Sequence, residues 1–178
     1  SAIDLGEKVR KHAKAIIHAW YPGALGGKAV ANIITGKSVP CGKTPLTFYY
    51  ETKEIPSMED YSMDNRTYRF YKDEPLYPFG FGLSYTNFEY SDIKLSADSI
   101  KDTDKVTVSF KVKNTGAVDG AEVAQIYVTD NESTIFRPKQ ELKGFKKVFL
   151  KAGEEKEVSI ELCKRAFAYY NVNIHDWH

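Results

Sequence analysis

The sequence predicts a mainly β protein with a smaller α/β part, and two patterns along the chain support this prediction. In the second half, apolar and polar residues alternate with a period of two, which is typical of half-buried strands. The first half instead combines a short apolar run, a segment with helical spacing and a second strand-like run. Aromatic residues make up 13% of the 178 residues, and this content favours β-structure or a carbohydrate-handling surface.

The first 50 residues have the pattern of a strand, a helix and a second strand. Residues 15–20 are an apolar run that meets a Tyr-Pro-Gly turn. Apolar residues then recur at helical spacing over 26–35, and residues 46–50 are a second apolar run. This order predicts a βαβ unit with a parallel pair of strands. Because a parallel sheet is covered on both faces and one unit cannot do this, we interpret this part as an incomplete α/β segment.

Residues 51–87 are predicted to be an ordered connection rather than a flexible linker. They show no sustained period and contain prolines, which argues against a long helix or strand. Their many aromatic residues are too apolar for a solvated linker. These aromatic residues are Tyr68, Phe70, Tyr71, Tyr77, Phe79, Phe81 and Tyr85.

Residues 88–178 are predicted to form an antiparallel β-sandwich of the fibronectin III or immunoglobulin-like kind. Short alternating segments are separated by turn signals such as Asn114-Thr115-Gly116 and Ala152-Gly153-Glu154, which is the pattern of such sandwiches. The predicted strands are 106–112, 121–129, 145–150 and 158–162.

Composition excludes two classes of partner. Lysine and arginine number 25 against 24 acidic residues, and this formal net charge of +1 argues against a nucleic-acid binder. No apolar run approaches the roughly 20 residues that a membrane span requires, so no membrane partner is expected. The two cysteines, Cys41 and Cys163, are far apart. Two free buried thiols are favoured over a single disulfide, which remains the alternative.

The sequence lacks the usual motifs of nucleotide, metal and nucleophile sites. The glycine-rich stretch 22–28 opens a helix, as phosphate-binding loops do, but it matches neither GxGxxG nor GxxxxGK[ST]. A tight turn is therefore the favoured interpretation. His12 and His18 do not have metal-ligand spacing, and no serine stands in a GxSxG motif. We predict no metal site and no cofactor.

Paired carboxylates are harder to judge, because glycoside hydrolysis imposes no sequence spacing on its two acids. Glu59, Asp60 and Asp64 lie in the aromatic connection, where each is more typical of a solvated turn residue than of a catalytic acid. Trp20 and Tyr21 have the chemistry to stack on a sugar ring, but burial in the core is the favoured interpretation.

Several motifs occur in one order along the chain. Residues 15–48 read AIIHAWYPGALGGKAVANIITGKSVPCGKTPLTF, residues 65–70 read NRTYRF and residues 76–88 read LYPFGFGLSYTNF. The stretches 114–127 and 137–145 follow, the latter reading RPKQELKGF. Together these motifs resemble the C-terminal portion of glycoside hydrolase family 3, the β-glucosidases and β-xylosidases, and the match runs nearly end to end.

The resemblance implies a (β/α)8 barrel, an α/β sandwich and a fibronectin III-like domain, in that order. Residues 1–50 would be the C-terminal part of the α/β sandwich domain, and residues 88–178 the fibronectin type III-like sandwich without its last strand. The family's nucleophilic aspartate belongs to the barrel, and its acid/base glutamate typically lies upstream of the segment that contains Trp20. No catalytic residue is therefore assigned to this chain.

The resemblance also implies one candidate substrate contact. The motif at 65–70 is the best candidate for a loop at the edge of the sugar pocket, through Arg66, Tyr68 and Arg69. The alternative is that this loop packs between domains, and that alternative is favoured.

Two functions are consistent with these observations. The first is a C-terminal fragment of a retaining exo-acting β-glycosidase, itself structural and inactive alone. Its partners would be the barrel and the remainder of the α/β domain, and the parent's substrate a β-glycoside or oligosaccharide. The second is a non-catalytic β-sandwich module that binds carbohydrate or protein. A sandwich without its last strand has an unpaired edge, which predicts a dimer through that open edge.

Overall fold

The computed structural model describes residues 4–178, which form two compact units. The first unit extends to Ser84, and the second covers Tyr85–His178. Residues 1–3 of the first predicted segment lie outside the described residues. The described chain is mainly β with few helices, which confirms the predicted fold class. No helix within residues 4–178 has the length and apolar character needed to cross a bilayer.

The first unit contains three short α-helices. They are α1 (Gly6–His12), α2 (Gly26–Ile34) and α3 (Thr67–Phe70), with a 3-10 turn at Thr52–Glu54. The predicted helix over 26–35 is confirmed as α2. It ends where Gly36 adopts a φ of +73° and donates its N–H to the carbonyl of Ile33. This left-handed conformation is the usual glycine stop of a helix.

The predicted parallel pair of strands is wrong for the described residues. Residues 15–20 form no strand, and Ile16 and Ile17 are 42% and 49% exposed. Phe48 instead pairs with Tyr77 in an antiparallel bridge, in which each N–H donates to the carbonyl of the other, at 2.9 and 3.2 Å. An apolar run becomes a strand only beside a strand of matching register, and the described part of this unit offers none to residues 15–20.

The motif that begins at Leu76 forms a turn against residues 41–44. The N–H of Gly80 donates to the carbonyl of Thr44 at 2.7 Å, and the N–H of Thr44 donates to the carbonyl of Phe81 at 2.7 Å. The Thr44 hydroxyl donates to the carbonyl of Pro78 at 2.8 Å. A Cβ added to Gly82 would lie 2.0 Å from the carbonyl oxygen of Gly42. The motif therefore needs glycine at position 82 because two backbone segments meet there.

The second unit is an antiparallel β-sandwich, as predicted. One sheet has the order β1 (Phe88–Leu95), β2 (Val106–Asn114) and β5 (Glu155–Leu162). The other sheet pairs β3 (Gly120–Val128) with β4 (Glu141–Leu150). Every pair is antiparallel, and the predicted alternation places the apolar residues of β2 and β5 on the inner face. The buried core consists of Val106, Val108, Phe110, Val112, Ala124, Leu150, Val158, Ile160, Leu162 and Ala166.

Asn114, the last residue of β2, organises the end of the sandwich. Its side chain is fully buried, and its Nδ2 donates to the carbonyls of Val118 and Leu150 at 2.8 and 3.2 Å. Its Oδ1 accepts from the N–H of Gly116 at 3.1 Å and from the Thr86 hydroxyl. The predicted Asn-Thr-Gly turn is therefore also a polar centre that ties three loops together.

The chain after β5 forms helix α4 (Lys164–Phe167) and a short hairpin of β6 (Tyr170–Asn171) and β7 (Asp176–Trp177). Both cysteines are free thiols, which confirms one prediction. Their predicted burial is wrong, because Cys41 is half-buried and Cys163 is exposed.

Candidate functional site

The turn that carries the candidate substrate contacts is conformationally strained. Asn65 and Thr67 have φ values of 54° and 55°. This left-handed region is unfavourable for a β-branched threonine, and such strain concentrates at functional sites. The N–H of Thr67 donates to the Tyr49 hydroxyl at 2.9 Å, and the N–H of Lys72 donates to Oδ1 of Asn65 at 3.1 Å. These contacts hold the turn at the start of α3.

Arg66 fixes the loop beside this turn. Its Nη2 donates to three backbone carbonyls, those of Pro56 at 3.2 Å, Ser57 at 2.7 Å and Asp60 at 2.8 Å. A guanidinium that serves three carbonyls of one loop orders that loop, since each bond removes freedom from its backbone. In this structure, the Arg66 side chain therefore has a structural role, because it orders the loop at residues 56–60.

Tyr68 and Arg69 lie against aromatic rings of the first unit. The Tyr68 ring stacks on Phe79, with centroids 4.1 Å apart and an interplanar angle of 17°. The guanidinium of Arg69 lies 5.7 Å from the centroid of Phe70. Both side chains are half-buried. Stacked aromatic rings beside an arginine offer both an apolar face and hydrogen-bond donors, which sugars use together.

A tyrosine and a glutamate form the most perturbed polar pair of this unit. The Tyr71 hydroxyl donates to Oε2 of Glu54 at 2.8 Å, and its ring packs edge-on against Tyr49 with centroids 4.8 Å apart. Burial and the Glu54 carboxylate raise the pKa of Tyr71 above its ordinary value. Tyr71 therefore stays protonated and serves as a hydrogen-bond donor at neutral pH.

Of the three acids considered as catalytic candidates, Asp60 and Asp64 are engaged in local contacts, and Glu59 is exposed. Asp60 accepts from the N–H of Ser62 at 2.8 Å, and the Ser62 hydroxyl and N–H hold the pKa of Asp60 below its ordinary value. Asp64 pairs with the ammonium of Lys72 at 2.9 Å. A glycosidase needs one carboxyl with a raised pKa as its general acid. Asp60 has the opposite shift, so its environment suits a structural role.

The glycine-rich stretch is a tight turn, as predicted. Gly23 has a φ of +69°, and the N–H of Gly26 donates to its carbonyl at 3.0 Å. A Cβ on Gly26 would lie 2.4 Å from Cγ of Pro22. The glycines therefore allow the chain to turn closely into α2.

His18 and Trp20 form an aromatic cluster with Phe48. The His18 ring lies 4.2 Å from Trp20 and 5.5 Å from Phe48, edge-on to both. Trp20 is 43% exposed, so its predicted burial holds only for part of the ring, and the predicted burial of Tyr21 is wrong because Tyr21 is 98% exposed. No group of three His, Cys, Asp or Glu side chains able to hold a metal ion is found within residues 4–178.

The second unit contains a polar pair that the sequence reasoning missed. Glu122 lies on the inner face of β3 and is 9% exposed, and the Tyr90 hydroxyl donates to its Oε1 at 3.0 Å. Burial and the Glu122 carboxylate raise the pKa of Tyr90. The alternation with a period of two could have indicated this position. Glu122 is two residues before the buried Ala124, so both side chains lie on the same inner face of β3.

A cleft lies next to this pair, between β1 and β3. Its volume is about 270 Å³, and Tyr90, Phe110, Gln125, Ile126 and residues 91–93 line it. The register of β1 with β2 shifts between Ser91 and Lys94, which is a β-bulge at the mouth of the cleft.

Residues 1–85 match the family model of the glycosyl hydrolase family 3 C-terminal domain, and residues 122–178 match that of the fibronectin type III-like domain. Thermostable beta-glucosidase B of Acetivibrio thermocellus is 45% identical to this chain, in an alignment that covers 93% of this chain and 24% of that protein. Xylan 1,4-beta-xylosidase of Xylanibacter ruminicola is 40% identical over 157 residues, an alignment that covers 88% of this chain and 18% of that protein. The crystal structure of the beta-D-glucoside glucohydrolase from Trichoderma reesei is similar with a TM-score of 0.86 at 28% identity, covering 99% of this chain and 28% of that one.

The chain thus spans about a quarter of the length of the relatives it matches. Two structural features fall on the motifs that carry the resemblance, namely the turn that needs Gly82 and the sandwich end organised by Asn114. The chain belongs to glycosyl hydrolase family 3 and corresponds to the C-terminal part of its larger enzymes.

Proposed function

We propose that this chain is the non-catalytic C-terminal part of a retaining exo-acting β-glycosidase. The complete protein hydrolyses terminal β-D-glucosyl or β-D-xylosyl residues of a β-glycoside or oligosaccharide. The observation that supports this most is the match to the C-terminal domain of the family over a chain that spans about a quarter of its relatives. Relatives named as a beta-glucosidase and as a xylan 1,4-beta-xylosidase support the two sugars.

The chemistry of such an enzyme requires two carboxylates about 5 Å apart, one as nucleophile and one as acid/base. The family resemblance assigns both to regions upstream of this chain. Among the acids of the aromatic connection, Asp60 and Asp64 are held in local contacts. The partners of this chain are therefore the barrel and the remainder of the α/β domain of the same polypeptide.

We expect no hydrolysis of an aryl β-glucoside or aryl β-xyloside by the 178-residue chain. The reason is that the reaction needs one carboxylate free to act as nucleophile and a second carboxyl that protonates the leaving group, whereas Asp60 and Asp64 are held in local contacts. Release of the chromophore is measured for this chain and for the complete polypeptide, which serves as the active control.

Turnover by the short chain that one acidic substitution abolishes would overturn the proposal. Retention of the short chain on insoluble xylan or cellulose, with an inactive complete polypeptide, would instead support the alternative of a binding module.

The strained turn at residues 65–67 is proposed to lie at the edge of the sugar pocket. Arg69, with Tyr68 beside it, contacts sugar hydroxyls, and Arg66 positions the turn through its bonds to the neighbouring loop. Such a contact binds the ground state and the transition state alike, so its loss raises KM without changing kcat.

In the complete polypeptide, we expect Arg69→Met to raise KM for an aryl β-glycoside about tenfold with kcat little changed, as for one charge-assisted hydrogen bond. Steady-state kinetics measure both constants. Lys72→Met, just after α3, is the matched control, because its exposed ammonium pairs with Asp64 and the substitution keeps the backbone bond from Lys72 to Asn65. An unchanged KM in Arg69→Met would contradict the assignment.

The chain is further proposed to associate with itself through an open sheet edge. The strand order supports this, because β1 and β5 stand at the two ends of one sheet and β3 and β4 alone form the other, and the end of a sheet is where an added strand can pair.

A further inference from the structure

Tyr49 follows a buried and paired segment of the first unit. Thr47 and Phe48, just before it, are 5% and 3% exposed, and Phe48 exchanges two backbone hydrogen bonds with Tyr77. A residue that follows such a segment has little backbone freedom. The Tyr49 side chain therefore extends from a fixed point of the unit.

The Tyr49 ring has a neighbour that is itself held in place. Tyr71 packs edge-on against it, with centroids 4.8 Å apart and an interplanar angle of 83°. The Tyr71 hydroxyl donates to Oε2 of Glu54 at 2.8 Å, and both of these side chains are half-buried. Because the pKa of Tyr71 is raised, its hydroxyl remains the donor of this bond at neutral pH. Tyr71 and Glu54 thus fix the ring that carries the Tyr49 hydroxyl.

Thr67 is bound at three of its own groups. Its N–H donates to the Tyr49 hydroxyl at 2.9 Å, and its carbonyl accepts from the N–H of Tyr71 at 2.9 Å. Its hydroxyl accepts from the N–H of Arg69 at 3.3 Å. Since a φ of 55° is unfavourable for threonine, these bonds are what keep it in the left-handed region. Of the three, the bond to Tyr49 joins the turn to a distant part of the chain.

We propose that Tyr49 is a positioning residue for the sugar contact of Arg69. The inference rests on the proposed function, in which Arg69 contacts sugar hydroxyls. The Tyr49 hydroxyl holds Thr67 in its left-handed conformation, and the Thr67 hydroxyl passes this constraint to the backbone of Arg69. A side chain whose backbone is placed before the sugar arrives loses less freedom on binding. Tyr49 therefore strengthens sugar binding through Arg69.

Tyr49→Phe in the complete polypeptide tests this role. The substitution removes the hydroxyl that holds Thr67 and keeps the ring that packs against Tyr71. We expect KM for an aryl β-glycoside to rise about fivefold with kcat little changed, because the lost constraint affects the ground state and the transition state alike. Tyr50→Phe is the matched control, since it removes a hydroxyl from the neighbouring position, where the ring lies 5.7 Å from the guanidinium of Arg10. An equal rise of KM in Tyr50→Phe would overturn the assignment.

Two double variants separate positioning from a general loss of stability. Tyr49→Phe with Arg69→Met is expected to have the KM of Arg69→Met alone, because Tyr49 acts through Arg69. Tyr49→Phe with Thr67→Asn is expected to return KM to within about twofold of the unmodified value. Asparagine adopts the left-handed region more readily than threonine and keeps a side-chain oxygen that can accept from Arg69. Additive effects in the first variant, or no recovery in the second, would overturn the positioning role.

The effect of Arg69→Met distinguishes this inference from the sugar contact on which it rests. A raised KM in Arg69→Met with an unchanged KM in Tyr49→Phe would overturn the role of Tyr49 and keep the sugar contact. An unchanged KM in both variants would overturn both. Hydrogen exchange of the 178-residue chain adds a measurement that does not depend on activity. We expect about tenfold faster exchange of the Thr67 amide in Tyr49→Phe, and unchanged exchange would overturn the positioning role.

Discussion

Asn114→Ala is expected to lower the free energy of unfolding of the sandwich unit by about 3 kcal/mol. The substitution leaves the carbonyls of Val118 and Leu150 and the N–H of Gly116 without their side-chain partner. Each buried group that loses its partner costs about 1–3 kcal/mol, and partial hydration of the loops reduces the sum. Asn114 is fully buried, so water does not replace the amide without opening the structure.

Hydrogen exchange of the β2 amides measures this loss separately for the second unit. Asn173→Ala, at an exposed position of the C-terminal hairpin, is the control and should change the free energy of unfolding by less than about 0.5 kcal/mol. Thr86→Val removes the hydroxyl bond to Asn114 and should cost about 1 kcal/mol. Equal hydrogen-exchange protection of the β2 amides in Asn114→Ala and in the unmodified chain would show that the Asn114 side chain does not stabilise the end of the sandwich.

Gly82→Ala is expected to destabilise the first unit by about 2 kcal/mol. The added Cβ would lie 2.0 Å from the carbonyl oxygen of Gly42 and 3.1 Å from its carbon. These are backbone atoms, and hydrogen bonds between Thr44 and the turn that begins at Pro78 hold their segment in place. The clash is therefore relieved only by moving the two segments apart, which weakens those bonds.

Gly27→Ala is a matched control for this substitution. Gly27 lies within α2, and a Cβ there meets nothing within 4 Å. Since alanine is the better helix former, we expect a gain of about 0.5–1 kcal/mol in this variant. Limited proteolysis of the first unit reports both changes, with faster cleavage for Gly82→Ala and slower cleavage for Gly27→Ala. Slower cleavage in Gly82→Ala would contradict the close approach of the two backbones.

The sandwich could be predicted from local pattern alone because strand geometry is local. A pleated strand places successive side chains on opposite faces, so the alternation at Val106 to Val112 already indicated which side chains form the core. The helix α2 was predictable for a similar reason, since its apolar spacing and Gly36 act within a few residues.

The pairing in the first unit could not be predicted in this way. Residues 15–20 and 46–50 have the composition of strands, yet Phe48 pairs with Tyr77, and this pairing depends on the path of the chain between the two residues rather than on a local pattern. The role of Arg66 was equally hidden. Its three acceptors are backbone carbonyls, which carry no residue-specific signal.

The helix α2, the sandwich, the inner faces of β2 and β5 and the family, through its ordered motifs, all follow from the sequence alone. Which distant groups meet follows from the tertiary structure, as in the bond of Asn114 to the carbonyl of Leu150 or the strained turn held by the Tyr49 hydroxyl. The physical reason is the distance along the chain over which each kind of interaction acts. Backbone periodicity and turn chemistry act over a few residues, whereas these contacts join positions 18 and 36 residues apart and depend on how the whole unit packs.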